Sequence, residues 1–198
     1  RYYTPSGRSI QKSYNKGLEA YEQDLHNRLR HGELFHADSI RFADSLRFET
    51  AHGRTVYGGG GIMPDLFVPR DTSAFSAYYT RLQSHNLVRE YALNYYQGHK
   101  AELEALKPEQ YLSNFRITDA QLQELAEVAA RDGMPANPTS LRRCAALLRN
   151  QLKAHIARSA YGKQQYYAVL HEQDTELKQA VQAVVNGTAN PMQKLSMK

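Results

Sequence analysis

The period of the hydrophobic pattern changes near residue 70, and this change limits what the chain can fold into. Before it, apolar residues alternate in short runs, as at Leu46, Phe48 and Val56, and glycine or proline interrupts them. After it, apolar residues recur every three or four positions almost to the end. Alternation is typical of strands, and the longer period is typical of amphipathic helices. The sequence therefore predicts an α+β chain that is mainly α, with one domain at 1–70 and an all-helical domain at 71–198.

The helical part carries clear start and stop signals. Thr118 stands three residues before Gln121 and predicts a capping box, with Ile117 and Leu122 as its hydrophobic staple and Gly133 as the end of the helix. The other predicted starts are Asp71 or Thr72, Leu87 after a break at 84–86, Thr139, Tyr166 and Asp174. The predicted inward faces are Phe75, Tyr78, Tyr79 and Leu82; Leu87, Val88, Tyr91, Ala92 and Tyr95; Leu122, Leu125, Val128 and Ala129; Leu141, Cys144, Ala145, Leu148, Leu152, Ile156 and Ala160; and Leu177, Ala180, Val181 and Val184. We expect residues 188–198 to be frayed.

The first domain is predicted to mix strands with one helix. Residues 1–4 and 8–11 favour two strands around a turn at 5–7, and 17–32 favour an amphipathic helix. Alternation from Ile40 through Phe42 and Leu46 to Thr50, a turn at 52–53 and strand residues at 55–57 predict an antiparallel hairpin. Residues 66–68 favour another strand. Because a lone edge hairpin is marginal in water, we expect the opening strands to belong to a larger sheet, which makes the chain a fragment.

Composition excludes several classes of protein. The chain has 198 residues, a net charge of +5 and 41% hydrophobic residues, which suits a folded domain. Cys144 is the only cysteine, so neither an internal disulfide nor a multi-cysteine zinc site can form. No apolar run approaches the roughly 20 residues of a membrane span. Basic residues are spread along the chain, which argues against nucleic acid as a partner.

Several local patterns suggest a site, and each also has a structural interpretation that we prefer. Ser6 and Ser9 near Lys12 resemble a Ser/Lys pair, but turn and strand serines explain them. The glycines at 58–61 lack the lysine of a phosphate loop and favour a turn in which backbones approach closely. The spacing of His26, His31 and His36 fits no common zinc motif. Cys144 is predicted to be a buried core residue.

Paired tyrosines and a basic helix leave a binding surface open. The pairs Tyr2–Tyr3, Tyr78–Tyr79, Tyr95–Tyr96 and Tyr166–Tyr167 could stack on bases, although core packing is the preferred interpretation. The basic residues of the long helix are predicted to face solvent; they are Arg142, Arg143, Arg149 and Lys153. An exposed groove of tyrosine and arginine would favour binding.

Two strings near the start resemble the carboxy-terminal processing (tail-specific) serine peptidases of bacterial envelopes. They are YYTPSGRSIQ within residues 1–11 and GGGGIMPDLFVP within 58–69. In that family they are strands of the protease core downstream of the catalytic lysine, in the same order. Here residues 12–57 separate them, which implies a long-insert member with an added helix and hairpin. The string LKAHIARSAYGKQQYYAVLHEQDTELKQAV resembles the helical C-terminal extension of such members.

The resemblance implies a parent endopeptidase with a serine nucleophile and a lysine base, a periplasmic location and protein or peptide substrates. Because both catalytic groups precede the first string in the family, no catalytic, cofactor-binding or metal-binding residue is assigned to this chain, and alone it is expected to be inactive. The helical part is expected to serve dimerisation, giving a homodimer, or access to the active site. The alternative is a non-catalytic protein-interaction module, with a nucleic-acid binder ranked last. We also expect Asp65 to accept hydrogen bonds from Gly7 or Arg8.

Overall fold

The computed structural model describes residues 2–33, 35–40, 44–62 and 66–187, and divides the chain into two units, Arg1–Asp71 and Thr72–Lys198. The fold is α+β and mainly α, as predicted: the described strands lie in the first unit, and helices make up most of the second. The predictions for Phe42, for Asp65 and for the end at 188–198 fall outside the described residues.

The first unit contains the predicted helix and the predicted hairpin. Helix α1 is Leu18–Arg30, and two short 3-10 helices follow at Ala37–Ser39 and Asp44–Leu46. Strands β1 (Arg47–Glu49) and β2 (Thr55–Tyr57) pair antiparallel, with Phe48 opposite Val56. Ile40 ends the first 3-10 helix, so the predicted strand residue there is wrong. The alternating pattern predicted a strand correctly only at the hairpin, where a turn brings a second strand alongside the first.

The other two predicted strand regions of this unit are weaker than expected. Residues 2–11 form a turn closed by a single antiparallel bridge between Tyr3 and Ser9. Residues 66–68 form no strand, and Leu66 is 51% exposed. Apolar side chains alone do not make a strand, because the backbone groups also need a neighbouring chain as partner.

The apolar face predicted for α1 is only partly covered. Leu18 is 62% exposed and Leu29 is 38% exposed, while the Tyr21 ring stacks on Tyr14 with centroids 4.3 Å apart. This helix therefore stabilises the first unit less than its sequence pattern suggests.

The second unit is a bundle arranged around one long helix. Its helices are α2 (Ala77–Ser84), α3 (Leu87–Gly98), α4 (Lys100–Ala105), α5 (Pro108–Asn114), α6 (Asp119–Arg131), α7 (Pro138–Tyr161), α8 (Lys163–His171) and α9 (Thr175–Val185). Helix α7 packs against α2, α3, α4, α6 and α8. Its residues Cys144, Leu148, Leu152 and Ile156 are fully buried, as predicted, and form the centre of the core.

Three helix starts differ from the prediction. Helix α8 begins at Lys163 rather than at Tyr166, and in the other two helices another residue supplies the cap. Helix α2 is capped by Ser76, whose Oγ accepts a hydrogen bond from the Tyr79 amide at 3.1 Å, rather than by Asp71 or Thr72. Helix α7 begins at Pro138, behind a cap at Asn137. Proline is pre-organised for the first helical position, and this explains why α7 starts just before Thr139.

Helices α4 and α5 lie between elements that the sequence did identify. Asn86 has φ 58°, which confirms the predicted break before α3, and Asp174 caps α9 as predicted. Helix α5 begins with Pro108, a start signal that could have revealed it. Both helices are short, and short helices depend mainly on tertiary packing rather than on a long periodic pattern.

The capping box of α6 is confirmed. Thr118 Oγ1 accepts from the Gln121 amide at 3.2 Å, and Gln121 Oε1 accepts from the Thr118 amide at 2.7 Å.

We expect Thr118→Ala to lower the free energy of unfolding by about 1 kcal/mol, because the first turn of α6 loses its side-chain acceptor. Urea unfolding followed by circular dichroism measures this. The control is Thr139→Ala in the first turn of α7, where Asn137 supplies the cap; an equal loss in both variants would contradict the assignment.

Helix α9 does not bury the face predicted to point inward. Leu177 is 37%, Val181 52%, Val184 69% and Val185 78% exposed. The pattern identified the apolar face, but no described element covers it. An amphipathic pattern shows that a helix has such a face, and the covering partner has to come from elsewhere.

Candidate functional site

The local serine and lysine candidates of the first unit do not form a pair. Ser6 Oγ lies 2.9 Å from Thr4 Oγ1, and Ser9 Oγ donates to the Gln11 carbonyl at 3.1 Å. Lys12 forms an ion pair with Asp24. Each group is occupied locally, which agrees with the structural interpretation of these residues.

The glycine run at 58–61 lies against the first string. The Gly59 amide donates to the Ser9 carbonyl at 3.3 Å, and the Gly61 amide donates to the Ile10 carbonyl at 2.8 Å. A Cβ on Gly58 would stand 3.3 Å from the Ser9 carbonyl oxygen, so the close approach of backbones favours glycine there. The two strings that carry the family resemblance are therefore neighbours in this unit.

Arg8 adds a side-chain link between the same regions. Its Nη1 donates to the Tyr57 carbonyl at 3.3 Å, at the end of β2. The hydrogen bond proposed from Arg8 to Asp65 falls outside the described residues and stays a prediction.

The histidine and cysteine candidates behave as isolated residues. His26, His31 and His36 are exposed, and among the described residues no group of three or more His, Cys, Asp or Glu could hold a metal ion. Cys144 is fully buried, its Sγ donates to the Ser140 carbonyl at 3.1 Å, and burial raises the pKa of the thiol. A buried thiol of raised pKa is a poor nucleophile.

The tyrosine pairs have different environments. Tyr78 and Tyr79 are buried in the core, whereas Tyr2 and Tyr3 of the first unit are exposed. Tyr91 is buried too, and its hydroxyl donates to Glu124 at 2.6 Å. Burial is the main cause that raises the pKa of Tyr91, and the Glu124 carboxylate adds to it. The hydroxyls of Tyr79, Tyr91, Tyr96 and Tyr161 form hydrogen bonds outside the fully buried core, as the core interpretation expected, whereas the buried Tyr78 hydroxyl has no partner among the described residues.

Lys153 corrects the prediction that the basic residues of α7 all face solvent. It is only 6% exposed, and its Nζ donates to the Leu112 carbonyl at 2.7 Å and pairs with Glu172 at 3.2 Å. A charged nitrogen can be buried where hydrogen bonds replace its water. Sequence reasoning missed this group because its partners are 41 and 19 residues away along the chain.

Two neighbours complete a buried polar group around Lys153. The Tyr111 hydroxyl donates to the Lys153 carbonyl at 2.8 Å, and Asn150 Nδ2 donates to the Val169 carbonyl at 2.8 Å. Tyr111 is fully buried, and burial, the first of several causes, raises its pKa. These contacts tie α7 to α5 and α8, so the group stabilises the packing of the three helices.

An open groove runs between α3 and α6. It is lined by His85, Leu87, Glu90, Tyr91, Asn94, Val128, Arg131 and Asp132. His85 Nδ1 and Asp132 Oδ2 are 3.7 Å apart at one end. The lining of the groove contains neither a serine nor a cysteine.

A cluster of aromatic and cationic groups lies where α7 meets α8. We call Arg89, His155, Arg158 and Tyr166 the α7–α8 corner. The His155 and Tyr166 rings are 5.3 Å apart, and Arg158 Cζ lies 5.4 Å from the Tyr166 ring centroid. Burial, followed by the charges of Arg89 and Arg158, lowers the pKa of His155. Elements α3, α7 and α8 thus bring two arginines, an imidazole and a phenol ring together.

No helix among the described residues has the length and apolar character needed to span a bilayer. The model of a family of unknown function (DUF8443) matches residues 78–162, from α2 to the end of α7. No curated protein and no solved structure matches the chain.

Proposed function

We propose that the chain is the C-terminal part of a serine endopeptidase of the Ser/Lys type that processes the C-termini of envelope proteins in the periplasm. The observation that carries the proposal is the pairing of the two resembling strings, through the hydrogen bonds of Gly59 to Ser9 and of Gly61 to Ile10. Backbone hydrogen bonds of this kind are what two adjacent strands of a shared core would form.

The proposed chemistry needs groups that precede the first string in the family. A lysine desolvated in a pocket gives up its proton near neutral pH and can accept the serine proton, while backbone amides stabilise the oxyanion. Residues 1–198 would contribute sheet edge and scaffold to that site, which agrees with the local engagement of Ser6, Ser9 and Lys12.

The experiment compares the chain with the protein extended upstream in its own gene. The extended protein is expected to hydrolyse unstructured peptides with a free C-terminus, and replacement of its upstream serine by alanine is expected to abolish hydrolysis. Residues 1–198 alone are expected to show no turnover. Hydrolysis by the chain alone, or an upstream sequence without serine and lysine in family register, would overturn the proposal.

We further propose that the helical unit serves assembly, with α9 packing against α9 of a second copy. The exposed side chains Leu177, Val181, Val184 and Val185 share one face, and Ala180 lies among them. The charged residues of α9, Glu176 and Lys178, both lie near its N-terminus. An antiparallel pair would place each charged end against the uncharged end of its partner, so no like charges meet.

This pairing is expected to be weak and concentration-dependent, because a helix of 11 residues offers a small interface. Val181→Glu is expected to shift the chain to monomer in sedimentation equilibrium, since two buried carboxylates would face each other. The matched control is Gln179→Glu, which adds the same charge on the opposite side of α9 and should leave the dimer intact. A chain that is monomeric at every concentration, or equal loss in both variants, would contradict the assembly role.

A further inference from the structure

The net positive charge of the chain is concentrated in the segment that forms α7 and α8. Residues 133–171 contain six Lys and Arg but no Asp or Glu. The whole chain has a net charge of +5, so the remaining residues sum to a slight negative charge. The segment is basic because it lacks acidic residues, since its share of the Lys and Arg is close to its share of the chain.

Half of these cations form hydrogen bonds or ion pairs within the helical unit. Arg143 Nε donates to the Ser73 carbonyl at 2.5 Å, Arg149 pairs with Asp119, and Lys153 pairs with Glu172. Arg158 forms no ion pair with any carboxylate that the structure describes, and Arg89 on α3 likewise has none in those residues. Both belong to the α7–α8 corner.

Within the described part of the chain, no carboxylate forms an ion pair with either arginine of the corner. Arg89 from α3, Arg158 from α7 and the Tyr166 phenol from α8 are the charged and titratable groups that face His155. Burial and the two arginine charges lower the pKa of His155, so the imidazole is neutral at neutral pH. The two guanidinium charges disfavour a positive charge on the His155 imidazole. A bound anion would offset these guanidinium charges.

We propose that the α7–α8 corner binds a single oxyanion, a carboxylate or a phosphate, through the guanidinium groups of Arg89 and Arg158 beside the ring of Tyr166. The planar guanidinium matches both oxyanions and donates two parallel hydrogen bonds. The imidazole of His155 supplies a further hydrogen-bond partner, and the half-buried Tyr166 ring offers an apolar wall for the group that carries the oxyanion.

The distribution of cations along α7 favours one oxyanion over a nucleic-acid strand. Arg142 lies near the opposite end of the helix, 16 positions or about 24 Å from Arg158. Of the cations between them, Arg143 donates to the Ser73 carbonyl, Arg149 pairs with Asp119 and Lys153 pairs with Glu172. A strand of phosphates needs a continuous row of available cations, and α7 offers only separated ones.

The test follows the imidazole resonances of His155 by NMR during pH titrations of the full chain, with and without inorganic phosphate, at an ionic strength held constant with sodium chloride. Phosphate is expected to raise the pKa of His155, because the anion neutralises the two arginines. Arg158→Gln is expected to weaken phosphate binding at least fivefold and, without phosphate, to raise the pKa of His155. Arg142→Gln, an exposed arginine on the same helix, should change neither quantity.

Further arms identify the source of the oxyanion. A short peptide with a free C-terminal carboxylate, its amidated form and a single-stranded oligonucleotide are titrated in turn. Binding of phosphate, or of the free-carboxylate peptide but not its amide, supports the proposal and names the oxyanion. Three results would overturn the proposal. Chloride alone could shift the pKa of His155 as much as phosphate does, or Arg142→Gln could weaken phosphate binding as much as Arg158→Gln does. The third is preferential binding of the oligonucleotide with a strong dependence on Arg142.

Discussion

Replacing Tyr111 by alanine is expected to lower the free energy of unfolding of the helical unit by about 3–5 kcal/mol, the range for removing a large buried aromatic side chain. Tyr111 is fully buried, its ring stacks on Phe115 with centroids 4.6 Å apart, and it also contacts Tyr161. No small shift of one neighbour could fill the space of the whole ring.

Two further variants separate the ring from the hydroxyl. Tyr111→Phe keeps the ring and is expected to cost about 1 kcal/mol, the usual net value of one hydrogen bond, here that to the Lys153 carbonyl. Tyr167→Ala removes a tyrosine that is 44% exposed and is expected to cost well under half as much as Tyr111→Ala. Urea unfolding followed by far-ultraviolet circular dichroism measures all three. A loss at Tyr111→Ala no larger than that at Tyr167→Ala would contradict the core described here.

Lys153→Ala is expected to cost about 2–3 kcal/mol, the second largest effect. The change removes the buried stem of the side chain and leaves the Leu112 carbonyl without its ammonium donor. The ion pair itself should contribute little, because the Glu172 side chain is 47% exposed to screening water.

Matched variants at Lys153 distinguish packing from hydrogen bonding. Lys153→Met keeps an apolar stem of similar length and is expected to cost about 1 kcal/mol, and Glu172→Gln less than that. Chemical unfolding gives each value. If Lys153→Ala proved neutral, or Glu172→Gln the most costly of the three, the carbonyl of Leu112 would not be the main partner of this lysine.

Local signals in the sequence were sufficient where the interaction itself is local. Thr118 and Gln121 are three residues apart, and both hydrogen bonds of the predicted capping box are present. Gly133 ends α6, with φ 75°, because its own backbone supplies the conformation needed there. The buried face of α7 followed from periodicity in the same way.

Contacts between distant residues explain what the sequence could not provide. Lys153 looked like a solvent-facing cation because Leu112 and Glu172, which satisfy it, are brought near only by the packing of α5 and α8. Helix α9 looked buried because its pattern is amphipathic, although no described helix covers it. The α7–α8 corner likewise combines α3, α7 and α8, and no linear motif brings the charges of both Arg89 and Arg158 close to His155.

The position of α7 along the chain has a consequence for biosynthesis. Helices α2 to α6 are translated before α7, yet their apolar faces are buried largely against one another and against this late helix. The nascent bundle therefore cannot close its core until Pro138–Tyr161 has left the ribosome. Until then the earlier helices expose apolar surface, and a stop codon before α7 would leave a product prone to aggregation and proteolysis.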